Sequence, residues 1–187
     1  MRLSTLFCSI LLAGCALPVK APDSLIYEGT QAKVEKMLEH GTGVIYFGFE
    51  ECPWCVEYRP LLEDMAEEGK IEVMHYDIHK DKEKDRDWYD EIAEELSEMN
   101  EDMIRYDNDG NAIIYMPLTV FVHDGEVIGY EDETCDLSSK EHDPKTYWTE
   151  EKKSALANRV VPLMKEVKSL QEEKNLQGCA IKESPGC

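Results

Sequence analysis

The sequence predicts an α/β protein, an open sheet carrying helices with a β-hairpin at its edge. Three observations carry this. The run Val44-Ile45-Tyr46-Phe47-Gly48-Phe49 is apolar, aromatic and of strand length, which suits a central buried strand. Segments with helical spacing stand on both sides of it. Farther along, two strand-like runs flank Asp124-Gly125, a dipeptide typical of tight hairpins.

The elements follow in order. Val34, Met37 and Leu38 sit at helical spacing, and Gly41-Thr42-Gly43 should end that helix. The central strand leads directly into Cys52-Pro53-Trp54-Cys55. Val56, Leu61, Leu62, Met65 and Ala66 then fit one face of a helix that stops at Gly69. Ile71 to Ile78 reads as a second strand. The charged stretch Asp81 to Met103 carries Trp88, Ile92, Leu96, Met99 and Met103, the stripe of one amphipathic helix. Asp107-Asn108-Asp109-Gly110 is a turn. Leu118 to His123 and Glu126 to Tyr130 form the hairpin. Leu156, Val160, Leu163, Met164, Val167 and Leu170 define a long last helix, which Pro162 should kink.

Bulk composition narrows the class. A chain of 187 residues with 42% hydrophobic residues suits one domain with a real core. Its formal net charge of −20 argues against nucleic acid as a partner, because neutralising phosphates needs clustered Lys and Arg. The acidity reads as a solubilising surface.

The first residues predict export. Arg2 precedes an apolar run from Leu6 to Ala13, too short to span a bilayer, and small residues follow. Leu12-Ala13-Gly14-Cys15 is similar to a bacterial lipobox, which implies that Cys15 is lipidated and becomes the mature N-terminus. Several acyl chains on one residue would supply a stable membrane anchor. The expected layout is a signal peptide over 1–14 and a lipidated tether over 15–24. A domain over 25–175 and a Cys-containing tail over 176–187 complete it. The expected location is the extracytoplasmic face of a bacterial cell membrane.

The Cys52-Pro53-Trp54-Cys55 motif carries the chemistry. Thiolate is the attacking species, and a free thiol near pKa ~8.5 is mostly protonated. A cysteine at a helix N-terminus has its anion stabilised by free backbone N–H groups and the helix dipole. A second cysteine one turn on can reach back and resolve a mixed disulfide. Cys52 is thus the expected nucleophile and Cys55 the resolving thiol. Pro53 fits the first helical turn, and Trp54 is expected at the rim, where it would meet a partner. A structural disulfide, or a zinc or copper site, is the alternative for such a pair. Zinc usually takes four ligands, however, and no second such motif or suitable His pair is present. His75 and His79 lie on or beside a strand and read as unrelated to the cysteines. No metal is expected, and no cofactor beyond the redox-active pair itself.

Around this motif the sequence resembles the thioredoxin superfamily. Val44 to Asp77 is similar to the first half of that family's core. Pro60 stands five residues after Cys55, where thioredoxins carry the proline of the active-site helix. Tyr115-Met116-Pro117-Leu118-Thr119-Val120-Phe121, followed by Asp124-Gly125-Glu126-Val127, resembles the family's cis-proline strand and the hairpin after it. The resemblance implies a thioredoxin-like fold, a central mixed sheet flanked by helices. It implies that Pro117 is cis and faces the two sulfurs, and that the backbone of Met116 pairs with a bound substrate chain. Pro53, Trp54, Met116 and Pro117 are then the substrate-binding residues. Three departures stand out. The buried acid of many thioredoxins would fall at Tyr46, and its companion lysine at Val73. Their joint loss avoids stranding one buried charge but leaves Cys55 without an assigned proton acceptor. Glu50, Glu51 and Glu57 are nearby acids expected to face solvent. The third departure is a helical insertion at about 80–106, before the cis-proline strand: a packed scaffold element, or else a lid or partner surface.

Among the remaining cysteines, Cys8 leaves with the signal. Cys135, Cys179 and Cys187 are candidates for a structural disulfide, as Cys179 with Cys187 or as Cys135 with a tail cysteine. Asp107 to Asn111 suggests a calcium loop, but Arg105 and Met116 stand where an EF-hand needs acids. His40, His123 and His142 are isolated and read as surface residues.

The expected function is that of an exported, membrane-anchored thiol–disulfide oxidoreductase, acting on disulfide-containing exported proteins. A membrane thiol carrier is the implied electron donor if the site reduces. The alternatives are a thioredoxin-like accessory or binding lipoprotein with little turnover, similar to those of bacteriocin-producing bacteria, and a metallochaperone. Palmitate labelling checks the anchor: the wild-type chain should take up label and Cys15→Ala should not, whereas equal labelling would remove the lipid-anchor reading.

Overall fold

The computed structural model describes residues 24–182 except 136 and 139, with side chains to 176. In chain order the elements are β1 (Ile26–Glu28), α1 (Gln31–His40), β2 (Gly43–Phe47), α2 (Pro53–Gly69) and β3 (Val73–Tyr76). Then come α3 (His79–Lys84), α4 (Arg86–Met99), a single 3-10 turn (Glu101–Met103), β4 (Arg105–Tyr106) and β5 (Ala112–Ile113). The chain closes with β6 (Leu118–His123), β7 (Glu126–Glu131), α5 (Pro144–Tyr147) and α6 (Glu150–Lys182).

The architecture is mixed α/β. Five strands form one sheet in the order β1-β3-β2-β6-β7, with β4 and β5 as a separate small ribbon. β1 and β2 both run parallel to β3, and β6 and β7 are antiparallel additions. Successive strand residues face opposite sides, so β2 divides its side chains between two cores. Ile45 and Phe47 pack with Val34 and Leu38 of α1 and with Ile92 and Leu96 of α4. Val44 and Tyr46 pack with Tyr58 and Leu62 of α2 and with Val160 and Met164 of α6. The sheet is therefore covered on both faces, which explains the continuous apolar character of β2.

Several expectations change. β1 was not apparent in the sequence, because three residues show no period. The single helix expected over Asp81 to Met103 is instead α3, α4 and the 3-10 turn, broken at Asp85 with φ −143°. Its apolar stripe is nonetheless where the spacing puts it: Trp88, Ile92, Leu96 and Met103 are buried in the α1-side core. The insertion is thus a packed scaffold element. Trp88 donates to Glu35 of α1 at 2.6 Å, and the Tyr89 hydroxyl accepts from the Ile114 N–H at 2.9 Å. The second strand is shorter than Ile71 to Ile78, although both end residues are buried. Val56 does not belong to the buried face of α2; it is 53% exposed, and Tyr58 takes its place in the core. The last helix runs through Pro162, and its backbone continues to Lys182, past the boundary expected at 175.

Gly69 ends α2 for a different reason than expected. The left-handed cap residue is Lys70, at φ 54°. Gly69 lies against α6, where an added Cβ would come within 2.7 Å of Met164 Cβ. The hairpin turn matches its dipeptide: Asp124 has φ 50° and Gly125 φ 85°, the pair of positive values that a two-residue loop requires. Asp107 accepts from the backbone N–H of Asp109 and of Asn111, both at 2.9 Å, so this segment is the expected turn.

Gly125 offers a test of the packing. Its N–H donates to Gly41 O at 2.9 Å, and a Cβ there would lie 2.5 Å from Glu39 O. Gly125→Ala should lower stability by more than about 1 kcal/mol, from the positive φ together with a clash against fixed backbone. The check is a lower urea midpoint at unchanged slope.

Candidate functional site

β2 delivers the chain to the end of the sheet, and Cys52 caps α2 there with φ −75° and ψ 114°. Its Sγ accepts from the Cys55 N–H at 3.3 Å, meeting one of the unpaired donors of the first turn. Pro53 occupies the first helical position, where no N–H is needed. Cys55 follows one turn later and is buried.

The segment before β6 reaches the same place. The Met116–Pro117 peptide bond is cis. The Cys52 thiol faces the Met116 carbonyl oxygen at 3.7 Å, and the Cys135 thiol donates to the next carbonyl, that of Pro117, at 3.4 Å. Cys52, Cys55, Met116 and Pro117 are thus brought together from two distant parts of the chain. Cys179 and Cys187, like Cys15 and all of the tether but Ser24, lie outside the described side chains.

Trp54 departs from expectation. It is not at the rim but only 7% exposed, with the Tyr147 ring edge-on at 5.3 Å. Leu137 and Tyr147, from the stretch between β7 and α6, pack with Met116 against Cys52, Trp54 and Cys55. The Tyr147 hydroxyl is held by Glu133 at 2.7 Å. Cys52 itself is 6% exposed. Neither Leu137 nor Tyr147 carried a sequence signal, because their position depends on how a loop crosses the sheet end.

The two thiols are electrostatically unequal. Cys52 is lowered to about 7, chiefly by a hydrogen bond from the Cys55 thiol and further by the backbone N–H groups of Cys55 and Trp54, against the opposing effect of burial. Cys55 is pushed well above the ordinary thiol range by donating that hydrogen bond, by burial, and by the Cys52 charge. One negative charge therefore resides on Cys52, with Cys55 as its proton-bearing partner.

Behind Cys55 lies a cavity of about 450 Å³, lined also by Tyr46, His75, Glu28 and Pro60. Tyr46 is buried and lines this cavity beside Cys55. Burial, followed by the Cys55 charge, raises Tyr46 far above the normal phenol range, so it remains a donor. His75, read from its position in the sequence as unrelated to the cysteines, lines the same cavity as Cys55. Its Nδ1 pairs with Glu28 at 2.8 Å and its Nε2 with the Gly48 carbonyl at 3.0 Å. A polar residue inside the buried strand Val73-Met74-His75-Tyr76 was the available signal. Glu50 and Glu51 are exposed as expected, whereas Glu57 is half-buried.

A polar row crosses the sheet beneath α2. The registers place Glu28 beside His75, His75 beside Tyr46, Tyr46 beside Thr119, and Thr119 beside Glu131. Thr119 shares a hydrogen bond of 2.9 Å with Tyr58 of α2, and Glu131 accepts from Arg159 of α6 at 3.1 Å. Among the described residues no group of three or more His, Cys, Asp or Glu is placed to hold a metal ion. Among them, too, no helix is long and apolar enough to cross a membrane. Compared with models of protein families and with curated proteins, the chain matches none.

The unequal thiols have a measurable consequence. A thiol whose value is lowered to about 7 becomes thiolate as pH rises through that point, so alkylation of Cys52 should climb around pH 7 and level off above it. Cys55 should stay unlabelled across that window. Mass mapping of iodoacetamide adducts against pH reads both.

Proposed function

We propose that this chain is a thiol–disulfide oxidoreductase with a thioredoxin-like fold, working through Cys52 and Cys55. The observation that carries the reading is the seat of Cys52. Its sulfur accepts the Cys55 N–H at the start of α2 while facing the carbonyl that precedes a cis-proline. That seat gives the sulfur anionic character and places the Met116 backbone carbonyl beside it, which a substrate chain could pair with.

The reaction follows from the inequality of the thiols. Cys52 thiolate attacks one sulfur of a partner disulfide, and the other sulfur leaves. Cys55 then loses its proton and attacks Cys52, closing the Cys52–Cys55 disulfide and releasing the partner's second thiolate. Two electrons pass from the chain to the partner. The reverse sequence oxidises a partner dithiol, and the direction in the cell depends on the potential of the pair against its surroundings. In this reading a partner would meet the exposed Pro53 and the half-buried Met116, with Trp54 and Pro117 buried beneath them. The exported setting, the lipid anchor at Cys15, a membrane thiol carrier as donor and disulfide-containing exported proteins as substrates belong to the same proposal. They rest on the character of the first fifteen residues.

One observation favours a second reading, a thioredoxin-like lipoprotein that binds a peptide with little turnover: Cys52 is only 6% exposed under Leu137 and Tyr147. Insulin disulfide reduction by the soluble domain separates the two. The oxidoreductase reading expects activity in the wild type and none in Cys52→Ser. Activity that survives Cys52→Ser would remove the assignment, and an inactive wild type whose biological effect survives Cys52→Ser would favour the binding protein.

A further inference from the structure

We propose that the Glu28–His75 pair, together with the Tyr46 hydroxyl, is the proton relay that serves Cys55. This rests on the thiol–disulfide reading above and adds the group which that reading lacks. Cys55 must shed a proton to close the disulfide and regain one when it opens. Of the α2 carboxylates, Glu57 does not line the cavity behind Cys55, and Glu63 lines it but is already engaged by the Ser24 hydroxyl.

The geometry supplies an acceptor from the sheet. The Gly48 carbonyl can only accept, so His75 Nε2 carries a proton. The 2.8 Å contact between Nδ1 and the Glu28 carboxyl then needs one more, held on the ring or on the carboxyl. Without that proton two lone pairs would face each other. With that proton on the imidazole ring, Glu28 is a carboxylate whose second oxygen remains to receive another. His75 is 6% exposed, whereas the Glu28 side chain is 71% exposed, so the pair joins a buried site to solvent. Tyr46 stands between them and Cys55. Its ring lies 5.2 Å from that of His75, and Tyr46, His75 and Cys55 border one cavity. The cavity of about 450 Å³ is roomy enough for water, which carries a proton without direct contact between His75 and Cys55.

The step balances. In the mixed disulfide, the Cys55 proton passes across the cavity to the second carboxylate oxygen of Glu28, which the His75 contact leaves open. The Cys55 thiolate, beside the Tyr46 side chain that borders the same cavity, attacks Cys52 Sγ. The Cys55–Cys52 bond forms, the bond from Cys52 to the partner breaks, and the partner's thiolate takes a proton from solvent. In reverse, the pair returns its proton to Cys55 as the disulfide opens. Other charges face the pair as well. Glu50, Arg59 and Glu63 line the same cavity, and Lys80 of α3 feels the Glu28 charge. These remain in place in the variants below and set a common background.

Stopped-flow reaction of the reduced protein with Ellman's reagent reads the step. One thionitrobenzoate leaves when Cys52 attacks, and a second when Cys55 resolves the mixed disulfide. His75→Gln keeps a donor for Gly48 but cannot titrate, and Glu28→Gln alters only an exposed carboxyl and should not disturb folding. In both, the second release should slow by about tenfold or more and lose its pH inflection, consistent with a missing general base, while the first release is unchanged. Wild-type rate and pH profile of the second release in both variants would overturn the relay and leave the redox reading standing. A wild-type protein that gives only the first release would overturn the redox reading and the relay with it.

Discussion

Where β2 pairs antiparallel with β6, Phe47 stands opposite Leu118 and Gly43 opposite Val122. The features of the site follow from that register. Because the strands run in opposite directions, the chain leaving β2 toward Cys52 and the chain entering β6 through Met116–Pro117 meet at one end of the sheet. A slip of one residue would move the alternate side chains of β6 to the other face. Thr119 would then lose Tyr58, and Val120 would leave the α1-side core. The two covered faces hold the register, since Ile45 and Phe47 belong to one core and Val44 and Tyr46 to the other.

The same registers extend the constraint across the sheet as a row of polar residues, from Glu28 to Glu131. Polar side chains in a covered sheet destabilise it unless they are paired. His75 has both ring nitrogens hydrogen-bonded, Thr119 has Tyr58, and Glu131 has Arg159. Tyr46, in the middle of the row, borders the cavity that Cys55 also lines. On the α1 side, the insertion of α3 and α4 covers β2 with Ile92 and Leu96, leaving the opposite face to α2 and α6.

Much of the site was legible because it is local. The strand before Cys52, the cap at Cys52, Pro53 in the first turn and Cys55 one turn on lie within a few consecutive residues. The Asp124-Gly125 turn is equally local, since two positive φ values decide it. Other features were misread where a pattern had two outcomes. Val56 and Tyr58 both lie near the helical stripe, and only the angle of α2 on the sheet puts Tyr58 inside. Gly69 looked like a stop signal, yet it is a point of close approach to α6. Trp54 was expected at the rim because nothing near it in sequence covers it; Tyr147 does so from a remote loop.

The sequence by itself determined the order of most elements and a pair of cysteines at a helix start. Hydrophobic period and capping chemistry act over neighbouring residues, and so they can be read from them. Only the tertiary structure decided what surrounds that pair. Glu28 and His75 are 47 positions apart, and β1 is too short to show a period. Their meeting beside Cys55 is a matter of strand order and register, which depend on how two cores close over a sheet.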